Sequence, residues 1–99
     1  MYQVTAYFSF APESRDRGLE ILDQIVALGL TENGILRYKY YADPDDSNRF
    51  FLYEEWETKE AHDVHFNSDG MQAMVPEFFT LFAEPPEVIY YDATEESRL

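Results

Sequence analysis

Cysteine is absent from the chain, which removes disulfides, thiolate nucleophiles and thiolate metal sites from consideration. Glycine occurs four times and never in a cluster, so there is no phosphate-cradling loop, nor is there a Gly-x-Ser-x-Gly nucleophile elbow. Cations are scarce: seven Lys and Arg stand against twenty Asp and Glu, a formal net charge of −13. Such a surface repels phosphate backbones and anionic bilayers alike, so neither nucleic acid nor a membrane is an expected partner. No apolar run approaches the roughly 20 residues that cross a bilayer, and no secretory leader is recognisable. The expected setting is the cytosol.

What is present is an apolar, aromatic sequence. With 45% hydrophobic and 17% aromatic residues among 99, it has the material for one hydrophobic core and is no disordered chain. A single domain over residues 1–93 is expected, followed by a frayed acidic tail, 94–99. Residues 2–10 alternate Val4, Ala6, Phe8 and Phe10 against polar neighbours, the period of a half-buried strand. A helix follows from Pro12 to about Leu30, its apolar face marked by Leu19, Leu22, Ile25 and Val26. Strands are predicted over 35–42 and over Arg49–Glu57, joined by a long polar loop, 43–48. Thr58 is placed as the N-cap of a short helix, and Ser68 or Asp69 caps the next. That helix carries Met71, Met74, Val75, Phe78 and Phe82 on one face, with a kink or fresh start at Pro76 and a stop at Pro85-Pro86. A last strand covers 87–93.

The order β-α-β-β-α-β is an α+β, ferredoxin-like split arrangement: an antiparallel sheet with helices on one face. Both faces of the sheet are apolar, however. Phe50, Leu52 and Trp56 oppose Phe51 and Tyr53 on the third strand, and Leu36, Tyr38 and Tyr40 oppose Ile35 and Tyr41 on the second. Helices cover one face only, so a second copy of the sheet is expected to cover the other, giving a homodimer.

Glu54 shares a strand face with Phe50, Leu52 and Trp56. Centring the short helix on Ala61 directs Val64 and His65 at the sheet and leaves His62 towards solvent. A carboxylate and an imidazole thus converge on an aromatic cavity. His65 can be a general base or hydrogen-bond partner there; alternatively the pair is a satisfied core histidine with a tyrosine-bonded glutamate. His62 and His65 share part of a helix face, but Asp69 or Glu54 is a weak third ligand, and no metal site is expected.

The segment "FFLYEEWETKEAHDVHFNSDGMQAM" resembles the signature of the antibiotic biosynthesis monooxygenase family, which includes quinol monooxygenases. Glu54, Trp56, Ala61, His65 and Ser68 fall at its Glu-x-Trp strand end, its helix and its polar turn. Upstream, Glu32, Gly34 and Tyr38 in "TENGILRYKYYAD" are similar to its Glu-x-Gly turn and Tyr-bearing strand. The resemblance implies a dimeric α+β barrel and, in some members, oxygenation of small aromatics by O2 with no cofactor. It implies His65 as proton acceptor or hydrogen-bond partner, Glu54 as its orienter or a hydroxyl binder, and Trp56, Tyr38, Phe78 and Met74 as substrate-binding walls. Two departures stand out. Gly70 occupies the place of a second family His. The haem-degrading pattern is broken: strand one has no Asn, His65 replaces the helix Trp, and Val75 stands at the distal His. The fold also hosts isomerases and non-catalytic dimeric binding modules, which remain alternatives.

Overall fold

The computed structural model describes residues 1–99. Its elements are β1 (Tyr2–Ser9), a 3-10 turn over Pro12–Ser14, α1 (Arg15–Gly29), β2 (Ile35–Asp43), β3 (Asp46–Trp56), α2 (Lys59–Phe66), α3 (Asp69–Phe79) and β4 (Glu87–Asp92). The four strands form one antiparallel sheet in the order β2-β3-β1-β4. The ferredoxin-like reading therefore holds, with the second helical region divided into α2 and α3. No helix is long and apolar enough to cross a membrane.

The alternation in β1 does what its period demands: Val4, Ala6 and Phe8 are buried, and the intervening side chains face the open side. Along α1, Gly18, Ile21, Leu22, Ile25 and Gly29 form the buried stripe. The Thr58 hydroxyl accepts from the Ala61 N–H at 3.2 Å and the Ser68 hydroxyl from the Met71 N–H at 3.3 Å. Each cap satisfies an orphan donor and contributes about 1 kcal/mol. Ser68, rather than Asp69, is the N-cap of α3. Phe8, Phe10, Phe50, Phe78 and Phe82 interlock in edge-on and stacked pairs, with centroids 5.0–6.2 Å apart, at one end of the core.

Three expectations are corrected. The 43–48 segment is no long loop: Asp43 pairs with Asp46 across a two-residue turn, and β3 begins there. Asp43 Oδ1 accepts from the Asp45 N–H at 2.8 Å and Asp46 Oδ1 from the Asn48 N–H at 2.9 Å. These side-chain turns tighten a stretch whose composition alone suggests slack. Secondly, Ile35 lies on the helix-covered face, opposite Trp56, because Leu36 is an extra residue in a β-bulge that reverses the alternation. Thirdly, α3 runs unbroken through Pro76 but ends at Phe79, where the Thr80 hydroxyl bonds the Glu77 carbonyl at 2.6 Å. Phe82 consequently leaves the helix and bridges to Phe10.

The uncovered face of the sheet carries Tyr7, Tyr41, Ile89 and Tyr91, all well exposed, around a half-buried Phe51. Tyr7 and Phe51 meet as tilted rings across β1 and β3 at 4.8 Å. Arg37, Lys39 and Arg49 lie on the same face, where Arg37 approaches Glu55 and Arg49 approaches Asp43 and Glu84.

Candidate active site

A cavity of about 80 Å³ lies between the sheet and the helices, lined from α1, α2 and α3. Its two ends differ in chemistry. Val4 stands in register between Glu54 on β3 and Tyr90 on β4, and these two side chains with Tyr38, His62 and His65 form the polar end. Phe8 is four residues further along β1, about 13 Å away, and there it joins Phe78, Phe79 and Phe82 in an aromatic end. No cationic side chain lines the chamber.

His65 is 1% exposed, and both of its ring nitrogens are occupied. The Glu32 carboxylate meets Nδ1, and the Tyr38 hydroxyl lies 3.1 Å from Nε2. A carboxylate can only accept, so in the neutral imidazole Nδ1 carries the proton, Nε2 offers its lone pair, and Tyr38 donates to it. Trp56 is tilted over the imidazole at 4.9 Å. Tyr38 is itself positioned by Gly29 at the end of α1, where an added Cβ would stand 2.5 Å from its ring. Burial, followed by the nearby Glu54 and Glu32 charges, holds the Tyr38 hydroxyl well above the ordinary tyrosine range.

Glu54 is buried and accepts from the Trp56 indole N–H at 3.0 Å. Desolvation pushes its carboxyl from 4.5 up to about 7, against the Trp56 hydrogen bond that favours the anion. Near neutral pH this group can therefore either donate or accept a proton inside an apolar chamber.

Of the side chains singled out in the sequence, His65, Glu54, Tyr38 and Phe78 line the cavity. Trp56 is fully buried behind Glu54, and Met74 is half-buried against the core; neither is a lining residue. The buried face of α2 is turned about a quarter-turn from the expected one. Val64 is exposed, whereas His62 is only 7% exposed and lines the cavity. His62 packs against Tyr2 at 5.2 Å and Tyr90 at 5.4 Å, so the residue expected in solvent is enclosed by aromatic rings from β1 and β4. Its pKa is lowered by burial. Glu32 also enters the site, from the α1–β2 connection. Gly34 turns that connection at φ +84° and abuts Ala61 of α2, where a Cβ would come within 2.6 Å of the alanine methyl. No three His, Asp or Glu side chains converge as a metal-binding group.

A family model described as antibiotic biosynthesis monooxygenase matches residues 1–77. A crystal structure of an antibiotic biosynthesis monooxygenase is 26% identical, superposes with a TM-score of 0.86, and is matched over 96% of this chain and 100% of that one. A cofactor-independent oxygenase from Streptomyces nogalater, SnoaB, shares the fold at a TM-score of 0.83 and 13% identity, over 95% and 93% of the two chains. An uncharacterized Synechocystis sp. protein is 25% identical over 89% of this chain. The chain spans 60% and 14% of the lengths of the two curated relatives it matches.

Proposed function

Because the chain belongs to the antibiotic biosynthesis monooxygenase family, we propose that it is a cofactor-independent monooxygenase that oxidises a small aromatic, a quinol or polycyclic phenol, with O2. The observation that carries this reading is the hydrogen-bonded series Tyr38–His65–Glu32 beside Glu54 at the polar end of an otherwise aromatic chamber. The electron count needs no other reductant. A ring methylene and one O2 give a ring ketone and one water. The substrate carbon supplies all four electrons, one oxygen atom stays on it, and the other leaves with the two hydrogens. A quinol balances in the same way, giving a hydroxyquinone and water.

The protein's task is to make the aromatic anionic, since the anion is the form that gives an electron to O2. A substrate hydroxyl bonded to the Tyr38 oxygen loses its proton as the tyrosine proton moves to His65 Nε2, and Glu32 balances the imidazolium. Glu54, in its acid form, donates to a substrate oxygen, much as an apolar site elsewhere keeps a carboxylic acid neutral for this purpose. Trp56 and Phe78 are assigned supporting roles, Trp56 by holding Glu54 and Phe78 by direct contact; Met74 braces α3 behind them. The cavity is smaller than the roughly 150 Å³ apolar cavity that takes up benzene. A ring therefore enters by displacing Phe79 or Tyr90, each about half exposed at the rim (51% and 49%). The absence of cations in the lining favours a neutral substrate. The exposed aromatic face of the sheet supports a homodimer, and the chain's composition suits the cytosol.

The test is O2 consumption on a panel of quinols and anthrones with metal-stripped protein, against an enzyme-free blank. Wild type is expected to exceed the blank and to place labelled oxygen in the product, while His65→Ala loses on the order of 10²-fold or more. Uptake at the blank rate across the panel refutes oxygenation. Retained binding without uptake then points to proton transfer or simple ligand binding.

A further inference from the structure

His65 has no free nitrogen, but the cavity holds a second imidazole that does. His62 Nδ1 lies 3.1 Å from Asp63 Oδ1. The carboxylate accepts, so Nδ1 bears the hydrogen and Nε2 the lone pair. Asp63 is held in turn by Lys59 Nζ at 2.6 Å. Nε2 makes no hydrogen bond within the chain, yet no buried polar side-chain atom is left unsatisfied, so this nitrogen is reachable from open space. The ring itself is fixed between Tyr2, Tyr90 and Phe66, with Phe66 stacked at 6.3 Å. Burial favours its neutral form, which is the form that accepts a proton.

The reaction has a use for a second base. Addition of O2 to the aromatic anion, followed by protonation of the peroxide by the Glu54 carboxyl, gives a hydroperoxide whose carbon still bears one hydrogen. Conversion to the ketone and water then requires removal of that hydrogen. The C–H pair becomes the C=O π bond, the O–O bond breaks, and hydroxide departs with its electron pair and is protonated to water. The Tyr38–His65–Glu32 series is already protonated from the first step. We infer that His62 is the catalytic base of this second step, taking the carbon-bound proton on Nε2 from the hydroperoxide while the His65 imidazolium, through the Tyr38 hydroxyl, protonates the leaving hydroxide. The net proton then returns from His62 to Glu54, and the step consumes no further oxidant. This inference deepens the monooxygenase reading and rests on it.

The experiment bypasses O2 by supplying the hydroperoxide. Tetralin hydroperoxide, which has a hydrogen on the peroxide carbon, is incubated anaerobically with wild type, His62→Gln and His62→Ala. Cumene hydroperoxide, which has none there, is the control. Wild type is expected to form tetralone and water with a primary deuterium isotope effect at that carbon and to leave the cumene compound unchanged. His62→Gln, which can hydrogen-bond but not take the proton, should be about 10²-fold slower or worse. His62→Ala with added imidazole should recover part of the loss, and recovery shows that a slow variant is still folded. Equal rates in wild type and His62→Gln overturn the assignment, as does wild-type conversion no faster than buffer. Tetralone formation that depends on His62, with no O2 uptake on any quinol or anthrone, would sink the oxygenase reading and keep the base. Uptake with His62-independent dehydration would do the reverse.

Discussion

At the scale of single residues, Glu54 carries the clearest physical signature. Its carboxyl titrates near 7 in the fold and near 4.5 when unfolded. Below pH 4.5 it is protonated in both states and contributes nothing to pH dependence. Between 4.5 and 7 the unfolded chain releases the proton while the folded chain keeps it, so stability falls as pH rises. The whole shift corresponds to about 3 kcal/mol. Urea unfolding of wild type and Glu54→Gln from about pH 4 to about pH 8 is expected to show the wild-type stability dropping by roughly that amount relative to the variant; a constant difference refutes the burial account. Glu54 and His65 were legible in the sequence because a strand's period and a helix's period direct them inward. Glu32 was legible only as part of a turn, since periodicity says nothing of where a connection's side chain points. His62 was misplaced because two histidines and one phenylalanine outweigh Ala61 and Val64 in setting the helix rotation, a balance that only the partners on β1 and β4 decide.

At the scale of elements, α3 presents two adjacent phenylalanines with opposite burdens. Phe78 is buried and touches Phe8, Phe10 and Phe82, whereas Phe79 is half exposed at the cavity rim. Phe78→Ala is expected to cost about 3–5 kcal/mol by leaving a void in the core. Phe79→Ala should cost about 1 kcal/mol, since roughly half of its surface stays in water after folding. It should also tighten binding of a two-ring probe such as 1-naphthol, which would no longer have to displace that ring. Calorimetry and fluorescence titration check the two effects, and equal destabilisation by both changes would contradict the rim placement. The strands and helices themselves were readable from alternation and capping. The bulge at Leu36 and the turn at Pro44-Asp45 were not, because each depends on the partner strand or on side-chain bonds to the backbone.

At the scale of the whole molecule, the open sheet face and the charge balance bear on one another. Two chains carrying −13 each repel at long range, yet three of the seven cations, Arg37, Lys39 and Arg49, sit on the open sheet face beside the exposed Tyr7, Tyr41 and Tyr91. Arg37 beside Glu55, and Arg49 beside Asp43 and Glu84, locally offset the acidic charge of this face. Phe51→Glu places a charge at the middle of this face and is expected to halve the sedimentation mass while leaving the far-ultraviolet circular dichroism unchanged. A wild type that already sediments as a monomer, or a variant that stays dimeric, would remove the face-to-face assembly. The strand order also governs how the chamber comes into being. The β2–β3 hairpin pairs neighbours in the chain and forms on the microsecond scale, whereas β1 must find β4, as when Tyr2 meets Asp92. Closing that span costs more chain entropy than closing the hairpin. Until β4 pairs with β1, Val88 and Tyr90 are missing from the wall, so the chamber exists only once the first and last strands have met.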